Sequence, residues 1–152
     1  MLYQLIVAFC GHREVEEPEQ VREWLEHTVE TLLQRGATQF YLGGYGGFDR
    51  MAAAAVQCAK QGNRTAESIL VLSYLDRNMS MELYDSSVYP PLENVPKRFA
   101  IVRRNRWIVD HADIIVAYVL HDWGGAAEML RYAVRRQKEI IRYRDGCAKI
   151  TV

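Results

Sequence analysis

The sequence is short of several things, and each shortage narrows what the chain does. It has no excess charge, since 19 Lys and Arg balance 19 Asp and Glu among 152 residues. A neutral total argues against an undirected nucleic-acid or membrane-surface binder, because such proteins draw affinity from accumulated basic charge. Cysteine is scarce: Cys10, Cys58 and Cys147 lie far apart, without a CxxC spacing. That odd, unpatterned trio argues against a disulfide framework and a zinc site, and it fits reduced thiols in the cytoplasm. No histidine has metal-ligand company at a suitable spacing. Long apolar runs are also missing. The opening stretch LYQLIVAF (2–9) has no basic region before it and is too short to span a bilayer. It reads as a first strand. No repeat, low-complexity segment or linker divides the chain, so one domain over 1–152 is expected.

What is present is an alternation of strand and helix patterns. The run 2–9 is continuous and β-branched, as in a strand buried on both faces. From Pro18 to Arg35 apolar residues recur at helical spacing, with Pro18 suited to a first turn and Gly36 to a stop. Strands follow at 38–43, 68–75, 112–120 and 138–143, with helices over about 49–62, 97–111 and the stretch after Gly125. A last short strand is expected within 147–152. Residues 76–96, with a Pro-Pro pair and no sustained period, read as a long loop. Together these predict an α/β fold, a Rossmann-like three-layer αβα sandwich on a mostly parallel sheet of five or more strands.

In such sheets ligands sit beyond the carboxyl ends of the strands. The unusual residues gather there. Gly11, His12 and Arg13 follow the first strand. Gly43, Gly44, Gly46, Gly47 and Asp49 follow the second, in YLGGYGGFDRMAAAA. His121 to Glu128, in HDWGGAAEML, follow the fourth. Glycines ahead of a helix let backbone approach a ligand, and the free N–H groups favour an anion. The same glycines also suit a plain tight turn, and the loop matches neither GxGxxG nor GxxxxGK[ST]. Asp49 suits either a helix cap or a ribose hydroxyl. Trp123 is a costly residue to leave in a loop and offers a flat face to a base. Glu128, in a first helical turn, fits the helix dipole or an acid–base role. Arg103 and Arg106 read as solvated or ion-paired.

The combination CGHRE, GGYGGFDRMAA, RRNRWIVDHADIIVAY and WGGAAEMLRYA, in this order, resembles the SLOG superfamily of Rossmann-like proteins, and most of all its YpsA-like members. The resemblance covers nearly the whole chain and is weakest over 76–96. It implies nucleotide binding, and it brings forward Arg104 and Asn105 as residues that reach the site. The superfamily also holds LOG enzymes, which hydrolyse the N-glycosidic bond of nucleoside monophosphates. Against that pattern Asn105 replaces a Lys, Gly125-Ala126 stand where Gly-Thr is expected, and Met129 falls where the catalytic Glu belongs. Glu128 is one position early, turned by about 100° on its helix.

These readings lead to one expected function and two alternatives. The first is a protein that binds a nucleotide or nucleotide-derived ligand, as a sensor of such molecules, with phosphate at Gly46-Gly47 and Gly124-Gly125. Arg13 and Arg104 assist, and Asp49 meets the ribose. The second is a LOG-like phosphoribohydrolase using Glu128. The third, disfavoured by the neutral charge, is a DprA-like single-stranded DNA module. No metal and no required cofactor is expected, and a homodimer is implied by the resemblance alone.

Overall fold

The computed structural model describes residues 4–61, 65–74 and 80–144. Its first strand, β1 (Leu5–Gly11), shows how the two-sided core arises from sequence. Successive side chains of a strand point to opposite faces. Leu5, Val7 and Phe9 pack into one apolar cluster, while Ala8 and Cys10 pack into the other, joined by Ile6 at its edge. A strand with such uniform apolar content has to be covered on both sides.

Helices α1 (Pro18–Gln34) and α2 (Gly46–Lys60) cover the first face. Val21, Leu25, Val29 and Leu32 form the buried stripe of α1, and Ala52, Ala53 and Ala55 let α2 lie close to the sheet. Helices α3 (Ala100–His111) and α4 (Gly125–Arg135) cover the second face through Ile108, Val109, Leu130 and Ala133. A 3-10 turn at Lys97–Phe99 leads into α3.

The other strands are β2 (Ala37–Leu42), β3 (Glu67–Val71), β4 (Ser86–Val88), β5 (Ile114–Tyr118) and β6 (Glu139–Arg142). Every pairing is parallel, in the order β4-β3-β2-β1-β5-β6. The chain winds outward from β1 through β4, then crosses back to place β5 on the other side of β1. That reversal between β1 and β5 is the position where a doubly wound sheet opens a crevice.

Most elements match the sequence reading. The strand expected over 68–75 stops at Val71, and α2 begins at Gly46, three residues early. Within the expected loop 76–96 the structure adds β4, which pairs with β3 from Ile69↔Ser86 to Val71↔Val88. At a sheet edge the backbone makes the ladder and the side chains need no apolar alternation, so DSSVY carried no strand signal. The strand expected within 147–152 and the Gly62 helix stop lie outside the described residues.

Gly11 ends β1 directly under the Phe48 ring, where an added Cβ would overlap Phe48 Cβ, Cγ and Cδ2. Phe48 is fully buried and stacked on Tyr118, with ring centroids 5.6 Å apart. Gly125, by contrast, has nothing within 4 Å of its Cβ position. We therefore expect Gly11→Ala to cost about 1–3 kcal/mol in urea unfolding, as overpacking does. Gly125→Ala should be neutral or slightly stabilising in the same assay.

Candidate functional site

A cleft of about 640 Å³ opens at the carboxyl ends of β1, β2 and β5, between α3 and the start of α4. The expected residues Gly11, His12, Arg13 and Gly43 line it, as do Asp49, Arg104 and Asn105. Trp123, Gly124 and Gly125 complete that group. Three strand ends and two helices, distant in sequence, thus converge on one space. Gly44, Gly46, Gly47 and Glu128 do not line it.

The two glycine pairs have different surroundings. Gly46, at φ +88°, and Gly47 press against the loop after β1. A Cβ on Gly46 would lie 2.7 Å from Arg13 Cα, and one on Gly47 would lie 2.8 Å from the Arg13 carbonyl oxygen. The Gly47 N–H already donates to that oxygen at 2.6 Å. That helix start thus packs closely on the loop after β1, with its Gly47 amide already engaged. Gly124, at φ +92°, and Gly125 face open space. The first hydrogen bond of α4 runs from Glu128 N–H to the Gly124 carbonyl, leaving the amides ahead of it outside the helical ladder.

Arg104 is buried, with 3% of its surface exposed, and a buried guanidinium needs its protons matched. Nη1 donates to the carbonyls of Gly43 and Val71, both at 2.9 Å, and Nε donates to Asn105 Oδ1 at 2.9 Å. It therefore ties the ends of β2 and β3 to α3. The Gly43 Cα has no side chain because a Cβ would lie 3.0 Å from the guanidinium carbon. Asp49 does not cap α2, which has no side-chain cap. Burial pushes Asp49 up to about 7, although Arg104 and the nearby amides of Tyr45, Gly43 and Gly44 pull the other way.

The opposite wall is aromatic. His12 stacks on His121 with ring centroids 3.8 Å apart, and His121 stacks on Trp123 at 3.8 Å. The ladder ends in solvent, with Trp123 68% exposed. The Leu120 N–H donates to His12 Nε2 at 2.8 Å, which requires an unprotonated nitrogen there. Burial and then the neighbouring His121 hold His12 below its ordinary value, in agreement with that bond. His121 was not singled out in the sequence. Its only signal was its place after a strand, two residues before Trp123.

Two further groups lie on the floor and rim. The Cys10 thiol donates to the Ala126 carbonyl at 3.2 Å, and burial, followed by the Asp49 charge, raises it well above the usual thiol range. It is a thiol and not a nucleophilic thiolate. Glu14 and Glu16 stand on the wall near Arg13. Glu128 lies on the outer side, in a small separate depression with Arg106, whose guanidinium is 3.9 Å away, and Tyr132. The one-residue offset from the hydrolase pattern has turned it out of the cleft.

No protein-family model and no curated protein sequence matches the chain. Solved structures do. The molybdenum cofactor binding protein of Rippkaea orientalis is 17% identical, with a TM-score of 0.68 over 93% of this chain and 77% of that one. DNA processing protein A of Helicobacter pylori is 16% identical, with a TM-score of 0.66 over 91% of this chain and 64% of that one. The Moco carrier protein of Chlamydomonas reinhardtii is 15% identical, with a TM-score of 0.61 over 92% of this chain and 76% of that one. The fold is Rossmann-like, as in these structures. Their names describe binding of a molybdenum cofactor or of single-stranded DNA. Among the described residues no helix is long and apolar enough to cross a membrane, and no cluster of three metal-ligating side chains occurs.

The raised Asp49 has a consequence for stability. Its folded value, about 7, lies above the ordinary 3.8, so the folded state holds the proton more tightly than the unfolded chain. The stabilisation is complete below pH 4 and is lost as pH rises through 7. Asp49→Asn mimics the protonated form. Its stability relative to the native chain should rise between pH 4 and 7 and level off near ~2–4 kcal/mol, read by denaturant unfolding at several pH values.

Proposed function

We propose that this protein binds a nucleotide or nucleotide-derived small molecule in the cleft beyond β1 and β5. The observation that carries the reading is that an open helix start and an aromatic ladder share one cavity. The amides at Gly124, Gly125 and Ala126 suit a phosphate, since a helix N-terminus offers both free N–H donors and positive potential. The ladder of His12, His121 and Trp123 presents a flat face for a heterocycle. Arg13 adds a cation on the same rim, and Asp49 offers an acceptor for a sugar hydroxyl. The likeness to proteins that bind a molybdenum cofactor supports a small-molecule ligand on this edge of the sheet.

The charge of the cleft favours a small molecule over a nucleic-acid strand. Arg13 and Arg104 are matched by Glu14, Glu16 and Asp49, whereas a strand-binding groove tracks phosphates with an excess of basic charge. Hydrolysis finds less support, because Glu128 is outside the cavity lining and a glycosidic cleavage needs a carboxylate at the anomeric carbon.

Calorimetry with AMP, ADP-ribose and NAD tests the reading, and saturable binding by at least one is expected. Trp123→Ala should weaken it roughly tenfold, within the range found for base stacking. Arg13→Ala should weaken it by a similar factor and reduce its dependence on salt. Uniform silence from folded protein would overturn the proposal.

A further inference from the structure

A second cavity, of about 680 Å³, lies on the outer side of α4, beyond the ends of β5 and β6. That volume is in the range of small-molecule sites. Its floor follows from the pattern of α4. Ala127, Leu130 and Val134 recur at helical spacing on one side of the helix, and Val119, just after β5, meets them. Leu120 and His121 line this cavity and the cleft alike, so the loop after β5 is the wall between the two spaces.

The charged groups around this floor are mostly cationic. Arg131 and Arg135 stand four residues apart on the exposed side of α4, and Arg142 comes from the end of β6. Among the described residues that line the cavity, Asp122 is the one acidic side chain, so three guanidiniums stand against one carboxylate. The whole chain is balanced at 19 against 19, which makes this a local concentration of positive charge. Arg142 is only 8% exposed, and its Nη2 donates to the Val119 carbonyl at 2.7 Å. Arg131 Nη1 donates to the Asp122 carbonyl at 2.9 Å, and the Arg135 guanidinium lies 5.6 Å from the centre of the Tyr132 ring. These contacts hold the three guanidiniums around the apolar floor.

We propose that this cavity is a second ligand site, and that it takes a single-headed organic anion: one carboxylate or phosphate on an aliphatic or aromatic body. The body displaces water from Leu130 and Val134, and the head group meets guanidinium donors, whose charge-assisted bonds are the strong ones. An uncharged apolar molecule gains the burial alone. A small inorganic anion gains the charge alone and leaves the floor wet. A nucleotide matches this site less well than the cleft, because its sugar and base would set polar groups on an apolar floor that does not pair them. The two cavities thus differ in the class of ligand they take. Since the loop after β5 is their common wall, an occupant here lies behind the ladder of His12, His121 and Trp123. The second site does not rest on the nucleotide reading.

The test is NMR of the whole chain with octanoate and octyl phosphate as probes, and with octanol and acetate as comparisons. At least one of the two anions should shift the methyl resonances of Leu130 and Val134 saturably, and the tighter of them names the head group. Octanol and acetate should each bind at least about tenfold more weakly, since each lacks one half of the match. Arg135→Gln should weaken the anion by roughly three- to tenfold and leave octanol unchanged. Arg131→Gln serves in its place if that variant does not fold, and the comparison with octanol needs no variant at all. Octanol bound as tightly as the anions would overturn the proposal. So would silence of Leu130 and Val134 toward both anions, or saturable shifts centred instead on Gly43, Asn105 and Gly125 in the cleft. An anion affinity unchanged in a folded Arg135→Gln and a folded Arg131→Gln would overturn it equally.

Discussion

The interaction on which the site depends is the grip of Arg104 on the carbonyls of Gly43 and Val71. A guanidinium taken out of water has to find acceptors, and here it finds the last carbonyls of two neighbouring strands. The cost of burying it is met by joining β2, β3 and α3 at one point. The same charge lets a carboxylate sit nearby at Asp49, and the glycine loop folds around that pair. Without the cation, Asp49 would have only amides to offset its burial. The loop geometry, the missing side chain at Gly43 and the floor of the cleft all follow from one buried positive charge.

Much of this was legible in the residues. Uniform apolar runs such as LYQLIVAF state that a strand is covered on both sides, and their alternation with helical periods specifies the layers. The rule that ligands gather beyond strand ends then brought Gly11-His12-Arg13, Gly43, Asp49 and Trp123-Gly124-Gly125 to one place, and the structure puts them around one cavity. The SLOG-type likeness added Arg104 and Asn105, which also line it.

What escaped the sequence has physical causes. Gly46 and Gly47 read as a phosphate cradle because glycine permits close approach, and a sequence does not say approach to what. Here the neighbour is the backbone of Arg13. Strand β4 is three residues long at an edge and has no apolar alternation to announce it. His121 stacks between two rings, yet a lone histidine after a strand looks like any solvated loop.

The order of strands has a consequence for how the molecule assembles. One of the two partners of β1 is β5, reached only after 107 residues, as the bond from Ile6 N–H to the Asp113 carboxylate shows. Pairings of such long range close late, since the loop entropy must be overcome before any contact offsets it. The cleft lies on that seam, the longest-range pairing in the sheet. A ligand that spans it would act as a clasp across the longest-range junction of the sheet, and occupancy would slow the opening of the seam as well as shift its equilibrium.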